Sequence, residues 1–330
     1  MVNLSKPTDS LASAVCAGHR AAIGKALSLV EGDSVAASGF CQEITGYTGQ
    51  ATVIGLTGPA GCGKSTLINA AIAHLRRQDL QVAVAAVDPS STITGGAILG
   101  DRLRMTDHAQ DAGVFIRSLS SRGHLGGLTR HIHRMVDVFD AAGFDFVIVE
   151  TVGTGQNEQE ITQIADARIV VCTGGQGDDV QALKAGILEI ADVLVVNKAD
   201  LIPAKTTIEQ LRSSLALRQS GNRKVPVIAT NALSGEGIDE MLTAANTAAQ
   251  RRNSTRADRR RARIRELLAQ SSAELIKGKV LGDESGLITT LCDQIAMGQR
   301  SIKDCETDFL HELSSSSNDQ DPPFTSEHLE

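Results

Sequence analysis

The fold of this chain is decided by one stretch of sequence, Thr52-Val53-Ile54-Gly55-Leu56-Thr57-Gly58-Pro59-Ala60-Gly61-Cys62-Gly63-Lys64-Ser65-Thr66. Its apolar first half predicts a buried strand, and its second half matches the phosphate-binding pattern G-x-x-x-x-G-K-[ST] that opens a helix. Glycines let the backbone wrap around phosphate oxygens, and the dipole of the following helix favours the same negative charge. The stretch therefore predicts that a nucleoside triphosphate binds here.

The residue types in this loop each suit one task. We expect Lys64 to reach the β- and γ-phosphates as a catalytic cation and Ser65 to ligate Mg²⁺, while Thr66 lies beside the α-phosphate. The small neighbours leave room for the phosphates to approach the backbone. The expected nucleotide contacts of the loop are Gly58, Pro59, Ala60, Gly61, Cys62, Gly63, Lys64, Ser65 and Thr66.

Composition excludes several classes of function. The 330 residues carry a net charge of −7 with no Trp and one Tyr, so neither charge nor ring stacking favours nucleic-acid binding. The six cysteines form no C-x-x-C pair, a pattern typical of reduced cytosolic thiols. No 18-residue apolar run occurs, so we expect no membrane span and a cytoplasmic protein.

Short apolar runs alternate with helical stretches through the middle of the chain. These runs are Thr52–Leu56, Val82–Val87, Val114–Ile116, Phe146–Val149, Arg168–Cys172, Val193–Val196 and Val225–Ala229. They are almost continuously apolar, as strands buried on both faces are. Strands separated by helices imply right-handed crossovers. The sequence therefore predicts an α/β P-loop NTPase fold with a mainly parallel, doubly wound sheet and helical extensions at both ends.

We predict four segments along the chain: an N-terminal helical extension (1–50), a P-loop domain (51–250), a C-terminal helical extension (251–312) and a disordered tail (313–330). The C-terminal extension opens with eight arginines between residues 251 and 265. An acidic membrane or nucleic acid could attract such a run, but a solvated helix face with an apolar stripe explains it better.

Two carboxylates directly follow buried apolar runs, Asp88 after the second and Glu150 after the fourth. P-loop enzymes hold Mg²⁺ through a carboxylate at such a strand end. Asp88 and Glu150 are therefore candidate metal ligands beside Ser65, and Glu150 is also a catalytic candidate. Gly153 can offer its backbone N–H to the γ-phosphate because no Cβ stands in the way.

The base is indicated by Asn197-Lys198-Ala199-Asp200, which follows an apolar strand. An Asp carboxylate accepts from both N1–H and the exocyclic amine of guanine, and adenine offers no matching pair, so the pattern favours GTP over ATP. Asn197 can bridge to the phosphate loop, and Lys198 can lie along the base. The next strand leads to Asn231, Ala232 and Leu233, where a second loop would contact the base.

Four separated motifs closely resemble those of the MeaB/ArgK family of GTPases. They are Asp88-Pro89-Ser90-Ser91 with Gly95–Met105, Val114–Ser118 with Arg122–Leu128, Glu150–Gln156, and Gln176–Gly186. The resemblance covers roughly residues 10 to 310. It implies a slow GTPase that acts on an adenosylcobalamin-dependent acyl-CoA mutase, chiefly of the methylmalonyl-CoA type. Such proteins gate cofactor loading, protect or rescue the mutase, and form homodimers through the C-terminal extension.

The same resemblance implies roles for further residues. Asp101 joins Asp88 and Glu150 around Mg²⁺, and residues 90–113 and 151–158 form two switches. Residues 174–186 look like a third switch, from which Lys184 reaches the nucleotide when the partner docks. A lysine moved onto the β- and γ-phosphates neutralises transition-state charge as an arginine finger does.

Three other functions fit parts of the pattern. A kinase would pass the γ-phosphoryl group to an acceptor other than water, and the chain shows no base or pocket for that acceptor. A nickel-delivery GTPase would need Cys and His ligands near the switches, and the sequence has no such tract. A non-enzymatic nucleotide-binding scaffold would bind without turnover.

Overall fold

A computed structural model describes residues 10–32, 34–88, 108, 110–120, 125–151, 164–174, 187–218, 224–252, 255–282 and 286–316. The chain divides into two compact units, Met1–Gln270 and Ser271–Glu330. The first unit contains the sheet and the predicted nucleotide motifs. None of the helices in these ranges combines the length and the apolar character that a bilayer crossing demands.

The first unit is built on a seven-stranded sheet whose paired strands all run parallel, in the order β3-β2-β4-β1-β5-β6-β7. The strands are β1 Thr52–Thr57, β2 Val82–Asp88, β3 Val114–Ser120, β4 Phe146–Glu150, β5 Ala167–Thr173, β6 Val193–Asn197 and β7 Val227–Ala229. After β1, the chain forms β2, β3 and β4 on one side of β1 and then β5, β6 and β7 on the other side. The crevice at the carboxyl end of β1 is thus a topological switch point, where ligands bind in such sheets.

Helices connect the strands and extend both ends of the chain. They are α1 Leu11–Cys16, α2 Arg20–Val30, α3 Val35–Ile44, α4 Lys64–Arg76, α5 Leu125–Ala141, α6 Ile187–Ile190, α7 Pro203–Arg218, α8 Ile238–Arg252, α9 Arg256–Leu281, α10 Leu287–Ala296 and α11 Ile302–Ser316. Ser10 and Ser34 cap α1 and α3 by accepting backbone N–H bonds from the third helical residue. The first unit holds α1 to α8, and α9 begins there.

Alternate residues of the strands enter two different cores. On one face, Val53 of β1 packs with α2 and α5. On the other face, Ile54 and Leu56 pack with Leu67 of α4 and Met241 of α8. Because both faces are covered, the strands must be apolar at every position, which is the pattern seen in the sequence. The predicted doubly wound fold with helical extensions is confirmed.

The interpretation of the arginine run as a solvated face is correct for Arg261 and Arg265, which are exposed, and wrong for Arg263. Arg263 is only 6% exposed, and its Nη1 lies 2.6 Å from Oδ2 of the fully buried Asp140. Its Nη2 lies 3.4 Å from Oδ2 of Asp166. The sequence pattern missed this cluster because the partners lie more than 90 residues away along the chain.

Asp140 also orders the segment that leads into β1. Its carboxylate accepts backbone N–H bonds from Gly49, Gln50 and Ala51 at 2.6, 2.9 and 2.9 Å. Arg263 Nη2 donates to the carbonyl of Ala51 at 3.1 Å. A buried carboxylate with four donors is well satisfied, so this cluster fixes the amino-terminal edge of the sheet.

Candidate functional site

The phosphate loop connects the carboxyl end of β1 to the first turn of α4. Gly61 and Gly63 have φ angles of +81° and +88°, a region that side chains rarely adopt. A Cβ on Gly63 would lie 2.6 Å from Nδ2 of Asn197, so glycine is required there for space as well as for conformation. The two glycines therefore let the loop curl in front of the N-terminus of α4. Backbone N–H groups in this arrangement bind phosphate.

Lys64 is the first residue of α4, and its side chain folds back over the loop. Its Nζ donates to the carbonyl of Gly58 at 2.8 Å and to that of Pro59 at 3.1 Å. The ammonium group is thus held at the concave side of the loop. A cation at this point can neutralise the charge of phosphate oxygens bound by the loop.

Ser65 and Glu150 meet beneath the loop. Ser65 Oγ donates to Glu150 Oε1 at 3.1 Å, and both residues are buried. Leu56 of β1 is in register with Glu150 of β4, which places the carboxylate beside the strand that carries the loop. A hydroxyl and a carboxylate are the hard oxygen donors that Mg²⁺ prefers, so the donor set fits this ion.

Asn197, the last residue of β6, joins the two predicted nucleotide loops. Its Nδ2 donates to the carbonyl of Cys62 at 3.0 Å. Its Oδ1 accepts from Thr230 Oγ1 and from the backbone N–H of Ala232, each at 3.2 Å. One amide therefore fixes the phosphate loop, the β6 end and the loop after β7 relative to one another.

Lys198 and Asp200 follow Asn197 and are exposed at the same edge. Lys198 has a φ of +58°, which is unusual for a residue with a side chain, and its Nζ donates to the carbonyl of Gly61 at 3.1 Å. The stem of Lys198 thus spans the gap between the two loops. Asp200 is exposed two residues further along the chain.

The loop after β7 is closed by Asn231. Its Oδ1 accepts backbone N–H bonds from Leu233 at 3.0 Å and from Ser234 at 3.3 Å, and its backbone pairs with Glu236. The Asn231 side chain is therefore turned into its own loop, as an Asx turn is. Leu233 is 89% exposed at the tip.

Several of the remaining predicted site residues fall at or beyond the limits of the described structure. Asp88 ends β2, next to Glu150's strand in the sheet, but only its backbone is described. Asp101, Gly153 and Lys184 lie outside the described residues. Thr66 and Ala60 lie in the first turn of α4 and at the tip of the loop, as their positions in the motif require.

Two buried threonine contacts at this edge are not apparent from the motifs. Thr230 donates to Asn197 as described, and Thr151 Oγ1 donates to Thr57 Oγ1 at 3.1 Å, where β4 and β1 end. Each threonine stands directly beside a motif at a strand end. A polar residue closing an otherwise apolar strand is the signal that would have found them.

The sequence of this chain is matched by known proteins. Residues 23–285 match the family model described as methylmalonyl-CoA mutase-associated GTPase MeaB. A protein of Pyrococcus horikoshii named as a GTPase is 42% identical over 281 residues, covering 83% of this chain and 89% of its own length. The GTPase ArgK of Escherichia coli is 40% identical over 234 residues, covering 68% and 70%.

A solved structure shares the architecture. The crystal structure of a protein described as an LAO/AO transport system kinase superposes with a TM-score of 0.70 at 25% identity. The match covers 92% of this chain and 96% of that one.

Proposed function

This chain belongs to the MeaB family of methylmalonyl-CoA mutase-associated GTPases. We propose that its GTP hydrolysis sets how long it acts on a B12-dependent mutase. In this function the chain gates adenosylcobalamin loading onto an acyl-CoA mutase and protects or reactivates that mutase. The observation that carries the proposal is the Asn197 amide, which ties the phosphate loop to both base-side loops. A change of bound nucleotide that moves one of these loops therefore moves the others as well.

Guanine binds at the edge formed by β6 and β7. Asp200 accepts from N1–H and the exocyclic amine, Lys198 lies along the base, and Ala232 with its neighbours closes the pocket. Two observations support this assignment: Asp200 is exposed, and the Nζ of Lys198, two residues before it, donates to the carbonyl of Gly61. Adenine would leave the carboxylate without a donor, which is a strong ground for rejecting it.

The phosphates lie in the loop from Gly58 to Thr66, with Lys64 on the β- and γ-phosphates. Ser65 and Glu150 would hold Mg²⁺, together with Asp88 and, from the family resemblance, Asp101, and the ion would neutralise charge on the phosphate oxygens. Gly153 meets the γ-phosphate through its backbone N–H. The hydrogen bond between Ser65 and Glu150 supports this arrangement because it brings a helix hydroxyl and a strand carboxylate to one point.

The partner is an adenosylcobalamin-dependent acyl-CoA mutase, and the chain acts as a homodimer. Support comes from the family description, which names a mutase-associated GTPase. Slow intrinsic turnover, roughly 10⁻⁴ to 10⁻² per second, suits a protein whose bound nucleotide sets a waiting time. Docking of the mutase moves Lys184 onto the phosphates and accelerates hydrolysis.

The chemistry is tested with GTP labelled in its γ-phosphoryl group. We expect release of labelled inorganic phosphate, slow alone and faster with the cognate mutase, and no label on protein or on a small acceptor. Label recovered on an acceptor would identify a kinase instead. Binding of GTP with no phosphate release, alone or with the mutase, would identify a scaffold.

The partner role is tested by pull-down with an adenosylcobalamin-dependent acyl-CoA mutase of the same organism, followed by rate measurements. Replacing Lys184 with Ala should remove the partner-dependent acceleration, which we expect to be about 10³-fold as for an inserted arginine finger. Lys205→Ala, an exposed lysine on α7, serves as the matched control. Equal acceleration of the two variants would contradict the role of Lys184.

A further inference from the structure

A cavity of about 210 Å³ lies in the first unit between α3, α5 and the first turns of α9. It stands on the α5 side of the sheet, near the Asp140–Arg263 cluster at the amino-terminal edge. The phosphate loop is at the opposite end of β1, about 20 Å away for a six-residue strand. The cavity is therefore separate from the nucleotide site, and its volume is far above the roughly 15 Å³ that one water requires.

Its wall holds buried polar atoms without a partner. His133, 2% exposed, has no hydrogen-bond partner for Nε2, and Arg263, 6% exposed, has none for Nε. Arg260, half-buried in the same wall, makes no hydrogen bond or ion pair with any residue in the described part of the chain. Buried donors are normally satisfied, so donors left open around a cavity indicate a polar occupant.

The wall is amphipathic. Arg260 and His133 stand with Asp137 among its polar groups, whereas Ile264, Leu267 and Cys41 supply an apolar part. Burial lowers the pKa of His133 to about 4, so the ring is neutral at pH 7, and burial raises the pKa of the Cys41 thiol to about 11. An occupant that offers a hydrogen-bond acceptor to the open donors and a short hydrocarbon chain to the apolar part suits such a wall.

We propose that this cavity is a second ligand site, which binds a small aliphatic monocarboxylate. The carboxylate accepts hydrogen bonds from the Arg260 guanidinium and from His133 in the tautomer protonated at Nε2. The hydrocarbon chain lies against Ile264 and Leu267. A bidentate guanidinium contact suits a planar carboxylate, which is why arginine recognises this group.

The charge of the wall favours a monoanion over phosphate. Asp140 and Asp166 already neutralise Arg263, and Asp137 lies in the wall close enough to feel both Arg260 and Arg263. A dianionic phosphate would carry twice the negative charge of a monocarboxylate beside the Asp137 carboxylate, so it would be repelled more strongly. A monocarboxylate also gains the apolar contact that phosphate lacks.

The test uses sodium butyrate as the probe and the full chain saturated with GDP and Mg²⁺, so that the phosphate loop is blocked. We expect calorimetry to show saturable binding in the millimolar range, as for a ligand of six non-hydrogen atoms. Arg260→Met should weaken binding at least about tenfold, and Arg261→Met, an exposed neighbour on the same helix, should not. Sodium phosphate and n-butylamine should give no saturable heat.

A second readout needs no substitution. In protein labelled with ¹⁵N-histidine, butyrate should shift the imidazole signals of His133 and leave those of the distant surface residue His74 unchanged. The proposal is overturned by the absence of saturable heat up to about 50 mM butyrate, or by equal affinity in the two arginine variants. A His133 signal that ignores butyrate, or that phosphate moves equally, also overturns it.

Discussion

Base selection depends on one carboxylate in the function proposed above, that of Asp200. Asp200→Asn replaces one acceptor oxygen by an N–H₂ donor, which opposes the exocyclic amine of guanine and matches the carbonyl of xanthine. We expect the affinity for GDP to fall by about 2 kcal/mol or more, roughly thirtyfold, while the affinity for XDP rises. Titration with fluorescent GDP and XDP measures both.

Glu209→Gln, an exposed carboxylate on α7, is the matched control for this substitution. It removes the same charge from the first unit without touching the β6 edge, so both affinities should stay as they are. A parallel loss of GDP and XDP affinity in Asp200→Asn would contradict the assignment of the carboxylate to the base.

Asp137 and His133 of α5 have opposite effects on how stability changes with pH. Burial raises the pKa of Asp137 to about 6, and burial, with a further contribution from Arg263, lowers the pKa of His133 to about 4. The Asp137 contribution is fully present below its unfolded pKa of 3.8 and is lost as the pH rises through 6. The His133 contribution is present above 6.5 and is lost as the pH falls toward 4.

Each substitution should therefore leave only the other residue's contribution to the pH dependence of stability between pH 6.5 and 4. In Asp137→Asn the thermal midpoint should drop on acidification more steeply than in the wild type, because only the His133 loss remains. In His133→Gln it should drop less steeply. Thermal unfolding in half-unit pH steps measures the slopes, with Asp293→Asn as an exposed control, and three parallel curves would contradict this account.

Among single residues, the sequence predicted the positions of those that belong to a short local pattern. Lys64, Ser65, Asn197 and Asp200 belong to short patterns at strand ends, so their environment follows from their neighbours in the chain. Arg263 is different, because its neighbours are other arginines and its partners come from distant segments. Nothing within a helical window distinguishes it from Arg261.

Among the elements, the loop after β7 departs from the usual GTPase pattern, and the structure gives a reason. Most GTPases begin this loop with Ser-Ala, whereas Asn231 here closes the turn through two backbone N–H bonds. An oxygen at this position holds the turn in shape and so holds Ala232 against Asn197. The substitution by asparagine is thus compatible with a base-side loop.

Asn231→Ala should speed GDP release, because the turn loses both bonds. At about 1 kcal/mol for such a loss we expect roughly fivefold faster dissociation, followed with a fluorescent GDP analogue. Asn231→Asp keeps the acceptor oxygen and should dissociate at close to the wild-type rate. If Ala and Asp variants release GDP equally fast, the side-chain oxygen has no part in shaping the loop.

The strands were predicted to within a few residues, and the differences have local causes. The predicted run from Val114 ends at Ile116, yet β3 continues to Ser120. β3 is an edge strand, and Arg117 there pairs with Glu31 rather than needing an apolar side chain. At the other edge β7 begins only at Val227, because Pro226 has no N–H for the ladder.

For the whole molecule, the Asp140–Arg263 cluster is the contact that we expect to matter most for stability. Arg263→Met would leave Asp140 and Asp166 buried without their cation, at a cost of about 3 kcal/mol or more. Arg261→Met should change the free energy of unfolding by less than about 0.5 kcal/mol. Urea unfolding of both variants, followed by circular dichroism, compares them, and equal stabilities would contradict the expectation.

The same cluster bears on when the chain can fold. Asp140 and Arg263 are 123 residues apart in sequence, and Ala51 and Arg263 are 212 apart. Parallel sheets form slowly, since distant segments must meet before any contact is gained. A nascent chain that has emerged as far as residue 250 contains all seven strands of the described sheet, yet it lacks the guanidinium that neutralises Asp140. Synthesis must therefore reach α9 before β1 is held in place. The time at which the first third of the chain becomes resistant to proteases is thus set by the synthesis of its last third.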